Sequence, residues 1–217
     1  MRSLKEWMLR ILILMVGLTI AHFGVTLFLL TELGSDPFNV MIQGLFRTAS
    51  AWTGGAFFTH GRIHIFMSLL ILCVLFFVDR SYIKPGTVLC MLCGGPIIDF
   101  FTSLLSPLAI QALPLPLRIA VLALGCVVLA YGKTIVIKSD AGTGPNDLVA
   151  LVISEKAGKK FSVIRVLVDV GFVAIGWALG GTVGLGTIVC ALLVGPVAGF
   201  FLPVNEKLIQ KLLSAAR

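Results

Sequence analysis

The chain has 217 residues, 58% of them hydrophobic and 12% charged, with a formal net charge of +7. A charged fraction roughly half the soluble average, together with several apolar runs of about 18 residues or more, excludes an ordinary soluble domain and places the chain in a bilayer. The basic residues fall between the apolar runs rather than among aromatics, so the charge follows the positive-inside pattern and gives no sign of a nucleic-acid partner.

Arg2, Lys5 and Arg10 lead into an apolar run at about 11–30. The run is long for a signal peptide and ends in no A-x-A site, so it reads as an uncleaved first span. Ser35-Asp36-Pro37 then opens a short helix to about 48, because a capping residue followed by Pro near the first helical position is how a helix begins. Runs at about 62–79, 86–105 and 117–137 supply the next three spans. Thr143-Gly144-Pro145 opens a second short helix to about 157, and runs at about 161–181 and 184–203 bring the total to six spans. At about 13 residues the short helices reach roughly 20 Å against a hydrocarbon core of about 30 Å, which is too little to cross comfortably. From 204 to 217 Lys alternates with Leu and Ile at helical spacing, as in an interfacial amphipathic tail or a solvated one.

These elements occur twice. Ile11, Gly17, Gly24, Thr26, Gly34 and Pro37 recur 108 residues on as Ile119, Gly125, Gly132, Thr134, Gly142 and Pro145. At an offset of 100, Gly86, Thr87, Cys90, Gly95 and Pro96 recur as Gly186, Thr187, Cys190, Gly195 and Pro196. Matched glycines and prolines are backbone instructions, so residues 11–105 and 117–203 are expected to be two copies of one fold within a single membrane domain, 1–217. If the short helices are re-entrant, each copy has three spans and the second is inverted. If they cross, there are eight segments and the copies are parallel. With the amino terminus inside, both arrangements place thirteen bases inside and three outside, so charge does not choose between them, while helix length favours inversion.

The chain carries no H-E-x-x-H, P-loop or G-x-S-x-G, and no nucleophile–base pair, so no enzymatic activity and no cofactor are expected. His60 and His64 stand at i and i+4 without a third ligand, which argues against a metal site. The five cysteines, including the Cys90-x-x-Cys93 pair, lie in apolar runs and read as buried free thiols.

Polar groups inside spans are costly, which singles out Lys133, Asp169 and Asp99, with His22 beside them. Lys133 aligns with Val25, Asp169 with Ser68 and Asp99 with Gly199, so these groups break the internal symmetry, as a solute or ion site would. A structural Lys133–Asp169 ion pair is the plainer alternative. The second candidate is the pair of helix starts: Gly34, Ser35, Asp36, Pro37 and Asn39 in the first half, and Gly142, Thr143, Gly144, Pro145 and Asn146 in the second. Starts that lie inside the membrane offer free N–H groups to an anion, whereas starts at the surface are only capped loops. On the first view, Val at Gly142 or Gly144 is expected to abolish binding in a protein that still folds, and Val at Gly184 to do less.

Leu33-Gly34-Ser35-Asp36-Pro37-Phe38-Asn39, Gly95-Pro96-Ile97-Ile98-Asp99-Phe100 and Ala141-Gly142-Thr143-Gly144-Pro145-Asn146-Asp147 make the chain resemble the YczE/YyaS/YitT group of bacterial integral membrane proteins over nearly its whole length. The resemblance implies a multi-pass protein of the bacterial cell membrane and brings no catalytic residues to carry over. The expectation is an all-α polytopic protein with its amino terminus in the cytoplasm. It would act as a small transporter or permease with a midplane site between the two repeats, taking a small solute from a range that includes anions. A non-transporting membrane partner or a substrate-binding subunit of a larger complex is the alternative, and a homo-oligomer is compatible with either.

Overall fold

The computed structural model describes residues 4–53 and 57–215, and these form eight α-helices joined by short turns, with no strand among the described residues. Arg2 and Arg217, two of the bases counted above, lie outside them. In chain order the helices are α1 (Leu4–Thr31), α2 (Pro37–Thr53), α3 (His60–Asp79), α4 (Pro85–Leu105), α5 (Leu115–Ser139), α6 (Pro145–Ala157), α7 (Phe161–Ala178) and α8 (Leu185–Ala215). Six of them, all but α2 and α6, are long and apolar enough to cross a membrane.

The starts follow the local chemistry read from the sequence. Pro37, Pro85 and Pro145 open their helices, where a missing N–H costs nothing. Thr59 caps α3 by accepting from Arg62 N at 3.1 Å. Three boundaries differ, the first being α2, which runs to Thr53 rather than about 48 and has 17 residues. Helix α1 begins near Leu4 rather than 11, its first turns held by Arg10 Nη2 donating to Glu6 Oε1 at 2.9 Å, an i,i+4 pair on the helix. The stretch after 203 is not a separate tail: α8 runs unbroken through Pro203, and its Ile209 and Leu213 are buried against Ile13 and Ile135. Asn205 Nδ2 donates to Thr134 Oγ1 at 2.6 Å in the same seam. Of the cysteines, Cys90, Cys126 and Cys190 are buried, Cys93 is partly so and Cys73 is exposed.

The centre of the bundle is the α1–α5 pair, which runs antiparallel. Arg10 Nη1 donates to Ser139 O at 2.9 Å at one end, and Arg118 Nε to Thr31 O at 2.9 Å at the other. Between these ends glycines bring the two backbones together: a Cβ on Gly24 would lie 2.5 Å from Leu129 N, and one on Gly132 would overlap Ala21. The other helices attach by paired backbone contacts. Gly86 N donates to Ala141 O at 3.0 Å and Gly186 N to Leu33 O at 2.7 Å.

These contacts sort the turns into two ends. Arg10, the α3–α4 turn and the end of α5 lie together, since Asp140 sits 2.9 Å from Lys84 Nζ and 3.7 Å from Arg10 Nη1. Helix α6 ends there too, where Lys156 Nζ is 3.6 Å from Asp79 and Tyr82 donates to Glu155. At the far end, α2 finishes beside the end of α7, with Arg47 Nη1 donating to Gly180 O at 2.7 Å and Thr48 Oγ1 to Leu179 O at 3.1 Å. From Thr31 to Lys84 the chain therefore crosses the bundle once, through α3, and α2 stays on the side from which the chain entered.

Candidate functional site

Both short helices begin inside the bundle with a carboxylate of the chain beside each start, but only at α2 does that carboxylate accept from a backbone N–H. At α2, Asp36 Oδ1 accepts from Asn39 N at 3.4 Å, and Oδ2 accepts from Asn39 Nδ2 at 2.8 Å and Ser35 Oγ at 3.4 Å. Asn39 Oδ1 lies 2.9 Å from His60 Nε2. An amide oxygen only accepts, so this ring nitrogen carries the proton.

At α6, Asp147 stands in the first turn. Its Oδ1 accepts from Arg165 Nη1 at 2.5 Å and from Asn146 Nδ2 at 3.3 Å, with Lys133 Nζ at 3.8 Å. Arg165 Nε donates in turn to Asp169 Oδ2 at 2.9 Å, one helical turn along α7. Asp169 Oδ1 is enclosed and has no hydrogen-bond partner. The side chains of Lys133, Asp147, Arg165 and Asp169 are each about a quarter exposed, 24–28%, so they face a wet space rather than a dry core.

That space has two chambers. A cleft of about 620 Å³ runs from Tyr82, Lys84 and Asp140 at the end of the bundle inward to Asp36, Lys133 and Asp169, between walls from α7 and α8. Beyond it lies a chamber of about 60 Å³, room for a few waters, reached by His22, His64, Asn39 and Asn146. Asp36, Lys133, Ile137, Thr143 and Asp147 line both, so Lys133 and Asp147 form a collar between them, with Arg165 and Asp169 on its cleft side.

The sequence candidates divide accordingly. Asp36, Lys133 and Thr143 face both chambers, Asn39, Gly144 and Asn146 the inner one, and Pro37, Gly142 and Asp169 the cleft. Gly34, Ser35, Asp99 and Pro145 line neither. Asp99 instead ties α4 to the start of α3, accepting from Thr59 Oγ1 at 2.5 Å and Gly61 N at 2.9 Å. Gly34, at φ 107°, is a turn pressed against Thr187 and Gly184. The Lys133–Asp169 pair is corrected: Lys133 is nearest Asp147, and Asp169 is bound by Arg165.

Asp147 and Arg165, the hub of the cluster, were not among the candidates. Asp147 stood in plain view at the end of the second helix-start motif. Arg165 lies at the start of the fifth apolar run, and its i,i+4 spacing to Asp169 is the readable signal for it. His22 and His64, distant in sequence, pack edge to face with centroids 5.6 Å apart, and among the described residues buried His64 Nδ1 has no hydrogen-bond partner. Among the described residues no three His, Cys, Asp or Glu side chains converge as a metal ion would require.

Residues 8–203 match a family of unknown function, DUF6198. The chain is 30% identical to the uncharacterized membrane protein YczE of Bacillus subtilis (strain 168), over 95% of this chain and 91% of that one. It is 27% identical to an uncharacterized protein of Haemophilus influenzae, over 90% and 84% of the two chains, and 21% identical to the uncharacterized protein YyaS of Bacillus subtilis, over 88% and 92%. No solved structure matches.

Proposed function

We propose that this chain, which belongs to the DUF6198 family of membrane proteins, is a small transporter whose solute passes the Lys133–Asp147–Arg165–Asp169 collar between the cleft and the inner chamber. The observation that carries the reading is that collar: Lys133 and Asp147 stand inside a membrane bundle where two open spaces meet, joined to Arg165 and Asp169 on the cleft side. Two inverted repeats with opposed half-helices are the architecture this fits. The antiparallel α1–α5 pair and the matched contacts Gly86–Ala141 and Gly186–Leu33 support it. The charge at the collar narrows the solute. Asp36 caps the start of α2, Asp147 stands in the first turn of α6, and with Asp169 they outnumber Lys133 and Arg165 by three to two. A bare anion is therefore a poor fit, and a solute that brings its own positive group is a better one.

Flux of a panel of radiolabelled amino acids, amines and organic acids into liposomes containing the purified protein tests this. Uptake or exchange of a zwitterionic or cationic solute is expected, with a thermal shift for the same solute. No flux and no shift across the panel would sink the transport reading. In that case the exposed glycines Gly195 and Gly199 on α8 and Gly171 on α7, which meet no atom within 4 Å, would favour the second reading, a membrane partner that seats another helix there. A stoichiometric companion in a mild-detergent pull-down would support it.

With the amino terminus in the cytoplasm of a bacterial inner membrane, a cysteine placed near Arg80 should label from the cytoplasmic face and one near Ala112 from the opposite face. Reversed labelling would put the amino terminus outside, because Arg10 and the α3–α4 turn share one end of the bundle.

A further inference from the structure

We propose that the cleft between α7 and α8 takes an amphiphile, a single-chain molecule whose zwitterionic headgroup docks on the Asp169, Arg165 and Lys133 floor while its hydrocarbon chain lies between the two helices. The proposal rests on the reading of the cleft as the solute path. Three observations support it.

First, the seam between these helices is open. On α4, Gly95 is pressed against the backbone of Gly61, which shuts α3 onto α4, whereas its repeat mate Gly195 on α8 has no atom within 4 Å of where a Cβ would stand. The α7 residues facing the same cleft are Phe161, Arg165, Val166 and Asp169, too bulky for the backbones to meet. Second, the walls are apolar and continue outward into lipid-facing surface. Val166, Ala191 and Val194 line the cleft, and Val163, Leu167 and Leu192 beside them are exposed apolar side chains on helices that cross the membrane. A hydrocarbon chain thus has an unbroken path from the floor to the bilayer, and about 620 Å³ is the size of a site for a drug-sized organic molecule. Third, the floor offers both charges. The Asp169 side chain, about a quarter exposed to the cleft, gives a carboxylate for an ammonium group, and Lys133, 3.8 Å from Asp147 Oδ1, retains donors for an anion.

The probe is a lysophosphatidylethanolamine with a diazirine at the end of its acyl chain, added to the protein in phosphatidylglycerol vesicles, with labelled residues mapped by mass spectrometry. Saturable labelling at Val166, Ala191 or Val194 is expected. Gly195→Phe fills open space without a clash and should lower labelling at these positions about tenfold with little change in melting temperature, and Asp169→Asn should lower it by a similar factor. Unlabelled lysophosphatidylethanolamine should compete, and free phosphoethanolamine should not. Equal labelling of the Gly195→Phe variant and the parent, or labelling confined to Leu167 and Leu192, would overturn the proposal. Equal competition by free phosphoethanolamine would replace the amphiphile with a water-soluble zwitterion and leave the transport reading standing. Cross-links joining two chains across Gly195 would assign the seam to a second copy. Labelling as expected without flux in liposomes would retain the site and remove the transporter.

Discussion

Arg165→Met is expected to cost about 3 kcal/mol of stability and to remove transport, because it takes from Asp147 and Asp169 the one donor they share. Asp147 keeps Lys133 at 3.8 Å, but Asp169 has no other hydrogen-bond partner on either oxygen. The four side chains are about a quarter exposed, which puts the cost at the lower end of the range for breaking a buried pair. Double-mutant cycles read by thermal unfolding in detergent test the wiring. Arg165→Met with Asp169→Asn should be milder than the sum of the single changes, and so should Lys133→Met with Asp147→Asn. Lys133→Met with Asp169→Asn should couple least of the three pairs, because these two meet only through Asp147 and Arg165. A strong Lys133–Asp169 coupling beside an additive Arg165–Asp169 pair would show that the cluster is connected differently.

Gly142→Val is expected to prevent accumulation of folded protein, with a cost of about 3 kcal/mol or more, while Gly144→Ala folds and loses solute binding. A Cβ on Gly142 would overlap the backbone of Gly86 and Thr87, the contact that docks the start of α6 on α4, and backbone cannot swing aside. At Gly144 the nearest atom is Asn146 Oδ1 at 2.7 Å, the end of a side chain that can turn but that also faces the inner chamber. This separates two glycines that the sequence treats alike. Gly184 moves as well: a Cβ there would lie 2.6 Å from Leu33 O, so Val at 184 should be nearly as damaging as at Gly142 rather than mild. Monodispersity on size exclusion and the melting temperature in detergent are the measurements. A folded, monodisperse Gly142→Val protein would show that the α4–α6 contact is not needed for assembly.

The sequence by itself determined the number, place and kind of the elements. Apolar length marks a span whatever its neighbours are, and a capping residue before Pro starts a helix by local chemistry, so the six long helices and the two short ones were legible residue by residue. Lys133 and Asp169 were legible as costly groups for the same reason, since the expense of a charge in a membrane does not depend on its partner. Tertiary structure alone decided the pairing. Lys133, Asp147 and Arg165 sit on α5, α6 and α7, and which carboxylate meets which base depends on how far α6 is carried into the bundle by the Gly86–Ala141 contact. It also decided where the bundle opens. Gly95 and Gly195 are matched in sequence, yet one is buried against Gly61 and the other faces empty space, because close approach of two helices needs a small residue on both sides of the seam and α7 presents Phe161 and Arg165 to the cleft instead.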